Sequence, residues 1–439
     1  MKARNRELLA LIPASLLVTA GFAAIFIQES ATLSDASLTY GGIFLGLCVA
    51  AHLVIRFTLP DADPYLFPLV AVLACFGLVV LYGLREEWAR GQAVWFVIGL
   101  ALFLITIITL RKDFRVLERY KYVIAAASLV LLMLPRVPGI GVQVNGAYLG
   151  IGIGPIQFQP VEFAKIGIVV FMAAYLRENR DAMMLGSKRI LGLTFPPLKQ
   201  FGPLLVVWGV AMLMLIFIRD RGASLMFFGA FLAVLYVATS RFSFVLMGLL
   251  AFGGGAYVMY KVTGHIQDRV DIWLDPFAAD RVQNAGYQIA QGLFAQADGG
   301  VFGTGLDQAL LSVPCDTNPR GCFILPAPHT DLIYAVIVNE LGLAGAIGLI
   351  IVYLLLVARG LKTAMIARDS FSTLLAAGLS FVLALQVFVI VGGVTRVVPL
   401  TGVTLPFVSY GGSSIMANFI LLALLLLVSD RARREAGTR

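Results

Sequence analysis

Long uninterrupted apolar runs are the feature that most limits how this chain can fold. A bilayer core of roughly 30 Å is crossed by a helix of about 20 apolar residues, because a helix satisfies its own backbone hydrogen bonds. Only 13% of the 439 residues are charged, whereas an ordinary soluble domain carries about 25%. The sequence therefore predicts an all-α polytopic membrane protein.

About twelve runs are long enough to span a bilayer. The first follows three basic residues and is longer than a signal-peptide core, which favours an uncleaved anchor. The fifth is short and ends at Pro135. The approximate limits of the predicted spans are 8–28, 39–59, 65–84, 91–110, 122–135, 159–177, 201–218, 222–240, 243–262, 331–357, 371–393 and 405–429.

The basic residues alternate between the two sides of this predicted topology. About two thirds of the 33 Lys and Arg residues fall at the N-terminus, in every second loop and in the C-terminal tail. Cytoplasmic loops carry such an excess, so both termini are predicted to be cytoplasmic and the long segment 264–330 to be outside. Topology thus accounts for the net charge of +8 without a nucleic-acid partner.

The large extracytoplasmic loop, 264–330, contains aromatic residues throughout, which indicates an ordered structure. Cys315 and Cys322 enclose the turn-forming residues DTNPRG. In an oxidising compartment this spacing favours a disulfide that closes the loop, with two free thiols as the alternative. Cys48 and Cys75 lie within spans, where they are interpreted as small packing residues.

Two charged residues lie inside the predicted sixth span. Glu162 and Lys165 are three residues apart, so they share a helix face and can neutralise each other. Charged groups in a membrane are costly and often functional. A structural ion pair and a polar wall for a charged substrate, with Lys165 facing a phosphate, are therefore both open.

Two further segments carry candidate substrate contacts. Arg221 belongs to the run Arg-Asp-Arg-Gly at 219–222, which is either an interfacial turn with snorkelling arginines or part of a binding site. Arg396 precedes the stretch 399–414, PLTGVTLPFVSYGGSS, which includes Ser409. This stretch has too much Pro, Gly and Ser for one continuous helix, and broken backbone at membrane depth is tolerated where it lines a cavity.

Asp331 lies at the start of a predicted span, just after His329. It is either a helix cap, since a carboxylate stabilises the first turn of a helix, or a general base at the membrane boundary, where burial raises its pKa. Glu340 is nine residues further on and points to the opposite helix face. His329 either acts as a base or orients the loop.

Several function classes lack their motifs. The sequence contains no phosphate-binding loop with Lys-Ser/Thr, no His-Glu-x-x-His and no Cys-x-x-Cys pair, so nucleotide-driven transport and a structural zinc site have no support. The run GGVFGTG at 299–305 has no strand before it and indicates a tight turn rather than a phosphate site.

Four blocks of the sequence resemble the RodA/FtsW/SpoVE (SEDS) family of bacterial cell-wall synthesis. They are NGAYLGIGIGPIQFQPVEFAK (145–165), WLDPF with GYQIAQ and GGVFGTGL (273–306), LPAPHTDLIYAVIVNELG (325–342) and PLTGVTLPFVSYGGSS (399–414). The resemblance divides the chain into two additional N-terminal helices with their linker (1–64), a ten-span core (65–430) and a basic cytoplasmic tail (431–439). The extra helices and the Asp-Ala-Asp-Pro linker favour a RodA-like member.

The resemblance implies an enzyme of the bacterial cytoplasmic membrane. Such proteins polymerise lipid II into glycan on the outer face, beside a class B penicillin-binding protein that crosslinks it. Asp331 matches the family's essential aspartate and is the predicted base. The predicted substrate contacts are Lys165, Glu162, Arg221, Arg396, His329 and Ser409. A divalent cation, Mg²⁺ or Mn²⁺, could share the pyrophosphate, although no metal ligands are assigned.

Two departures and two alternatives accompany this hypothesis. Family members often carry a Glu shortly before the His-Thr-Asp triplet, where this chain has Ala327 and Pro328, and the family's Arg-Trp is replaced by Leu149 and Gly150. The alternative functions are a lipid II flippase, which would use the same intramembrane polar groups as a pathway, and a non-catalytic scaffold for a transpeptidase.

Overall fold

The computed structural model is dominated by long helices. It describes residues 3–30, 35–144, 147–153, 156–185, 188–190, 193–195, 197–218, 220–284, 286–309, 312–315 and 318–437. The helices are α1 (Ala3–Ser30), α2 (Asp35–Thr58), α3 (Leu66–Leu84), α4 (Glu86–Leu110), α5 (Val116–Arg119), α6 (Lys121–Met133), α7 (Val161–Leu185), α8 (Leu198–Ile218), α9 (Arg221–Thr239), α10 (Phe242–Val262), α11 (Gly264–Leu274), α12 (Tyr287–Gly299), α13 (Ile333–Ile366), α14 (Ser370–Val394) and α15 (Gly412–Gly437).

The predicted fold class is confirmed, and every predicted span contains a helix. Within the described residues, ten helices are long and apolar enough to cross a bilayer. The other two predicted spans correspond to α6, which has only 13 residues, and α7, which is long but carries charged residues at both ends. The structure therefore supports a multi-pass membrane protein.

The core is arranged around α15. This helix packs against α4, α7, α13 and α14 and is buried along nearly its whole length. In contrast, α10 contacts mainly α9 and α11, and many of its apolar side chains are exposed, as expected for a helix that faces lipid. The N-terminal pair, α1 and α2, packs against α3 and α4 at the edge of the bundle.

In the described residues, seven short strands form three small antiparallel sheets outside the helices. One sheet has the order β1-β2-β3 and precedes α7, and the other two are hairpins. The strands are β1 (Gly141–Val144), β2 (Ala147–Ile153), β3 (Ile156–Phe158), β4 (Lys188–Ile190), β5 (Leu193–Phe195), β6 (Ser312–Cys315) and β7 (Asn318–Phe323). The loop predicted at 264–330 is thus ordered in part, since it contains α11, α12 and the β6–β7 hairpin.

Helix α13 is interrupted at Gly342, which the sequence pattern did not predict. Gly342 has φ +65° and ψ −169°, far from helical values. The glycine run after α12 packs into this break: Thr304 N and Gly305 N donate to the carbonyls of Asn339 and Glu340, each at 2.9 Å. A Cβ on Gly303 would lie 2.1 Å from the Glu340 carbonyl oxygen. The glycine run (residues 299–305) therefore supplies hydrogen bonds to the broken membrane helix, and it forms a tight turn as predicted.

Candidate active site

Asp331 lies in a turn that leads into α13, here called the Asp331 turn (residues 327–332). Thr330 N and Leu332 N both donate to the Ala327 carbonyl, at 3.2 and 3.4 Å. The N-cap of α13 is Leu332, and no side chain caps the helix. The expectation that Thr330 or Asp331 caps α13 is therefore wrong, because the turn places the helix start after both residues.

The Asp331 carboxylate is largely buried beside another loop. Gly402 has φ +75°, and a Cβ added to it would lie 3.4 Å from Asp331 Oδ2. Burial raises the pKa of Asp331 to about 6, against the opposing effects of a hydrogen bond with Thr330 and the positive charge of Arg269. A carboxylate with this pKa is ionised at neutral pH and is more basic than an ordinary aspartate.

Ser409 joins the Asp331 turn to segment 399–411, the irregular chain before α15. Its hydroxyl donates to the Thr330 carbonyl and accepts from Leu405 N, both at 2.8 Å. Beside it, Tyr410 N donates to the His329 carbonyl at 2.8 Å. The Ser409 side chain is buried, and its hydrogen bonds connect the Asp331 turn to segment 399–411.

Gln92 on α4 completes this attachment and was not among the predicted site residues. Its side-chain amide donates to the Ser409 carbonyl at 2.9 Å and its oxygen accepts from Gly411 N at 3.2 Å. Gln92 is buried within an apolar helix. A lone amide in a membrane span is a functional signal, and this signal could have identified it.

His329 is packed between aromatic rings. Its imidazole stacks on Trp88 with ring centroids 3.9 Å apart, and Tyr410 lies at 5.8 Å. Burial, together with the positive charge of Arg85, lowers the pKa of His329 to about 4. The imidazole is therefore neutral at physiological pH. Stacking and the low pKa support the interpretation that His329 orients the loop rather than acts as a base, and its predicted contact with the substrate stays a prediction.

Lys165 and Glu162 form the predicted ion pair. Lys165 Nζ lies 2.5 Å from Glu162 Oε2 and donates to Gln386 Oε1 at 2.8 Å. Gln386 in turn donates to the Thr404 carbonyl at 2.9 Å. All three side chains are buried, so this network ties α7 and α14 to segment 399–411. The expected contact between Lys165 and a phosphate stays a prediction.

Arg396 holds the end of α11. Its Nε donates to the Trp273 carbonyl at 2.7 Å and its Nη2 donates to the Leu274 carbonyl, while Trp273 Nε1 donates back to the Arg396 carbonyl at 3.1 Å. Cationic side chains satisfy the free carbonyls at helix C-termini well. A role for Arg396 at the pyrophosphate stays a prediction, and its visible contacts are with the protein.

Arg269 is the cation that the structure brings to Asp331. It lies on α11, is exposed, and donates through Nη1 to the Leu400 carbonyl at 3.3 Å. Its charge acts on the Asp331 carboxylate. Sequence reasoning missed Arg269 because only the packing of α11 against segment 399–411 places it there.

The start of α9 also lies against segment 399–411. Asp220 caps this helix by accepting a hydrogen bond from Ala223 N at 2.9 Å. A Cβ on Gly222 would lie 3.1 Å from Thr401 Cβ, so the two backbones are in close contact. Arg221 is the first residue of α9. Its side chain lies outside the described residues, so its predicted contact with the substrate stays a prediction.

The two cysteines whose side chains the structure describes are packing residues, as predicted. Cys48 and Cys75 are buried, free thiols. In the β6–β7 hairpin Cys322 is opposite Val313, and Cys315 is opposite Asn318. The side chains of Cys315 and Cys322 lie outside the described residues, so their disulfide stays a prediction.

A divalent cation would find few protein ligands at this site. Among the residues that the structure describes, no group of three or more His, Cys, Asp or Glu side chains could hold a metal. Asp331 supplies the carboxylate at this position. The expected Mg²⁺ or Mn²⁺ ion therefore stays a prediction.

The model of the FtsW/RodA/SpoVE cell cycle protein family matches residues 65–434. The chain belongs to this family. The RodA/FtsW/SpoVE match leaves out α1 and α2. It includes every residue of the site described above.

Relatives within the RodA/FtsW/SpoVE family differ in how much of the chain they cover. The peptidoglycan glycosyltransferase RodA of Mycobacterium tuberculosis is 41% identical over 99% of this chain and 92% of its own length. The stage V sporulation protein E of Bacillus subtilis is 30% identical over 84% of this chain and 98% of its own length. The mycobacterial similarity therefore extends over the N-terminal helices.

Solved structures of the family share the fold. A chain from a peptidoglycan synthase complex that coordinates polymerization and crosslinking has a TM-score of 0.66 and 27% identity, covering 85% of this chain and 98% of its own. RodA from Thermus thermophilus has a TM-score of 0.59 and 27% identity, covering 85% and 97%.

Proposed function

We propose that this chain is a peptidoglycan glycosyltransferase that polymerises lipid II on the outer face of the bacterial cytoplasmic membrane, with Asp331 as the general base. The observation that carries the proposal is the placement of the Asp331 carboxylate between α11, segment 399–411 and the start of α13. The names of the relatives agree with this activity.

The chemistry requires a base more than an acid. Forming a β-1,4 link from an α-linked lipid pyrophosphate inverts the anomeric carbon, through a transition state analogous to that of inverting glycosidases. The acceptor 4-hydroxyl must lose a proton. Asp331 suits this role because its pKa, about 6, lies closer to the operating pH than that of an exposed aspartate.

The leaving pyrophosphate needs positive charge rather than a proton. Arg269 is the best supported cation because it is exposed and its positive charge lowers the pKa of Asp331. Arg221 is the second candidate, since its backbone borders segment 399–411. A divalent cation could share the pyrophosphate. Lys165 and Glu162 contribute through the buried network that fixes this segment, whereas Arg396 fixes α11 and hence Arg269.

The membrane orientation follows from the distribution of Lys and Arg. It places the Asp331 turn outside and both termini in the cytoplasm, so the lipid tails of the substrate remain in the bilayer while its sugars reach Asp331. The structural relative in a peptidoglycan synthase complex supports a partner synthase. We assign this role to a class B penicillin-binding protein that crosslinks the new glycan.

The deciding experiment compares the wild-type chain with Asp331→Asn in glycan polymerisation from purified lipid II, alone and with its transpeptidase. The variant should make no polymer and still bind the transpeptidase. Asp268→Asn is the matched control, because Asp268 is exposed on α11 next to Arg269 and should keep activity. Normal polymerisation by Asp331→Asn would show that another group is the base.

Two other outcomes would identify the alternative functions. A wild-type chain that never polymerises but moves labelled lipid II between the leaflets of a vesicle is a flippase. A chain that does neither and still stimulates its transpeptidase is a scaffold.

A further inference from the structure

A cavity lies at the opposite end of the bundle from the Asp331 turn. Its volume is about 320 Å³. Its walls are the chain just after α2, the loop after α4 and the last turns of α15. All three helices end at this side, so the cavity opens at a membrane–water boundary, here called the tail side.

The charges around the cavity leave a positive excess. Of its acidic residues, Asp430 pairs with Arg434, and Glu435 pairs with Arg431. Asp113 accepts a hydrogen bond from the Arg115 backbone amide at 3.0 Å.

Arg111 and Lys112 also line the cavity and are exposed. In the part of the chain that the structure describes, neither side chain has a hydrogen bond or an ion pair. Among the lining residues four side chains are basic and three are acidic, so the lining itself carries one net positive charge.

The floor of the cavity is apolar. Leu59, Phe114 and Leu427 line it and are buried. Close by, Phe57 and Ile108 are exposed at 80% and 49%. These two side chains lie within three residues of lining positions, so a lipid-facing apolar surface adjoins the charged mouth. A free inorganic anion would not use such a surface, whereas an acyl chain would.

The N-terminal helix pair contributes one wall. Leu59 follows α2, and Asp61 lies near Arg434 with a separation of 3.9 Å between Oδ2 and Nε. The family match begins only at residue 65. The cavity is thus formed between the family core and a segment that precedes it.

We propose that this cavity binds the phosphodiester headgroup of an anionic phospholipid, with Arg111 and Lys112 on the phosphate and the acyl chains along the exposed faces of α2 and α4. In the described residues Arg111 and Lys112 have no ion pair, so both can donate to the phosphodiester oxygens. Basic pockets between membrane helices commonly recognise such headgroups. The orientation proposed above places this site in the inner leaflet.

The test measures binding and is independent of polymerase activity. The purified full-length chain in neutral detergent is titrated with phosphatidylglycerol, phosphatidylcholine or inorganic phosphate, and retained lipid is counted by native mass spectrometry alongside the thermal unfolding midpoint. The wild type should retain phosphatidylglycerol and be stabilised by it. Arg111→Gln with Lys112→Gln should bind it roughly 25-fold more weakly, since each cation near an anionic surface contributes about fivefold.

The matched control is Arg119→Gln with Arg368→Gln. Both residues are exposed on the tail side and do not line the cavity, so this variant loses the same charge and should bind phosphatidylglycerol normally. Equal losses in both double variants would mean a diffuse surface charge and would overturn the site. Equal binding of phosphatidylcholine would overturn the need for an anionic lipid. Equal stabilisation by inorganic phosphate would assign the site to a free anion instead.

Discussion

Replacing Asp331 by Asn should make the protein more stable as well as inactive. The folded protein holds the Asp331 proton more tightly than the unfolded chain does, because burial raises the pKa of this carboxyl from 3.8 to about 6. Stability is therefore lost as the pH rises through this range, where the buried group must ionise. Asparagine has nearly the same shape and never ionises, so it avoids this loss.

The pKa difference sets the size of the effect. A shift of about two units corresponds to roughly 3 kcal/mol at 1.36 kcal/mol per unit. For a chain of this length the unfolding entropy converts that gain into an unfolding midpoint about 3 °C higher. The gain should be complete near pH 8 and nearly absent at pH 3 and below, where Asp331 is mostly protonated in both states.

Thermal unfolding in detergent, followed by tryptophan fluorescence, measures this difference at both pH values. Comparing the two proteins at each pH removes the contributions of other titrating groups, such as Asp220, whose pKa burial also raises to about 6. Asp268→Asn serves as the control and should leave the midpoint unchanged. Equal midpoints for the wild type and Asp331→Asn at pH 8, or a gap of the same size at pH 3, would refute the reasoning.

Three further predictions concern the side of the molecule that contains Asp331. Arg269→Gln should lower kcat/KM by at least about tenfold and move the acidic limb of the kcat/KM profile to higher pH, because loss of this charge raises the pKa of Asp331. Arg269→Lys should restore much of the activity and of the pH profile. An unchanged pH profile in Arg269→Gln would exclude an effect of Arg269 on the pKa of Asp331. Gly402→Ala should destabilise the protein by roughly 1–2 kcal/mol, because alanine must adopt a left-handed backbone there. Polymerisation, measured on the folded fraction, should fall more than stability does. Cys315 and Cys322 should resist alkylation until a reductant is added; immediate labelling of both would exclude the disulfide.

The membrane helices could be predicted because lipid allows few structures. Each predicted span contains a helix, since an apolar run in a bilayer must satisfy its own backbone hydrogen bonds. Short-range spacing was equally reliable: the three-residue separation of Glu162 and Lys165 predicted their ion pair. The Pro and Gly content of segment 399–411 predicted an irregular backbone there.

Features that depend on packing between distant segments could not be predicted. Gly342 is one of three glycines between residues 342 and 348, and the sequence does not indicate which of them breaks the helix, because the compensating hydrogen bonds come from residues 299–305. Arg269 was missed for a similar reason, as Arg396 places α11 from more than a hundred residues away. The sequence left open whether Asp331 caps α13, because the start of this helix depends on the backbone of the Asp331 turn, in which Ala327 has φ +47°.

The break at Gly342 has a mechanical consequence for the site. It separates about two and a half turns of α13 from the rest of the helix, and the glycine run after α12 is bonded to both sides of it. Thr304 N and Gly305 N donate to carbonyls before the break, and Leu343 N and Ala344 N donate to glycine-run carbonyls from after it. Asp331 lies just before the first turns. We therefore expect the glycine run to hold the two parts of α13 at a fixed angle, so that the large loop and the Asp331 turn are positioned as one unit.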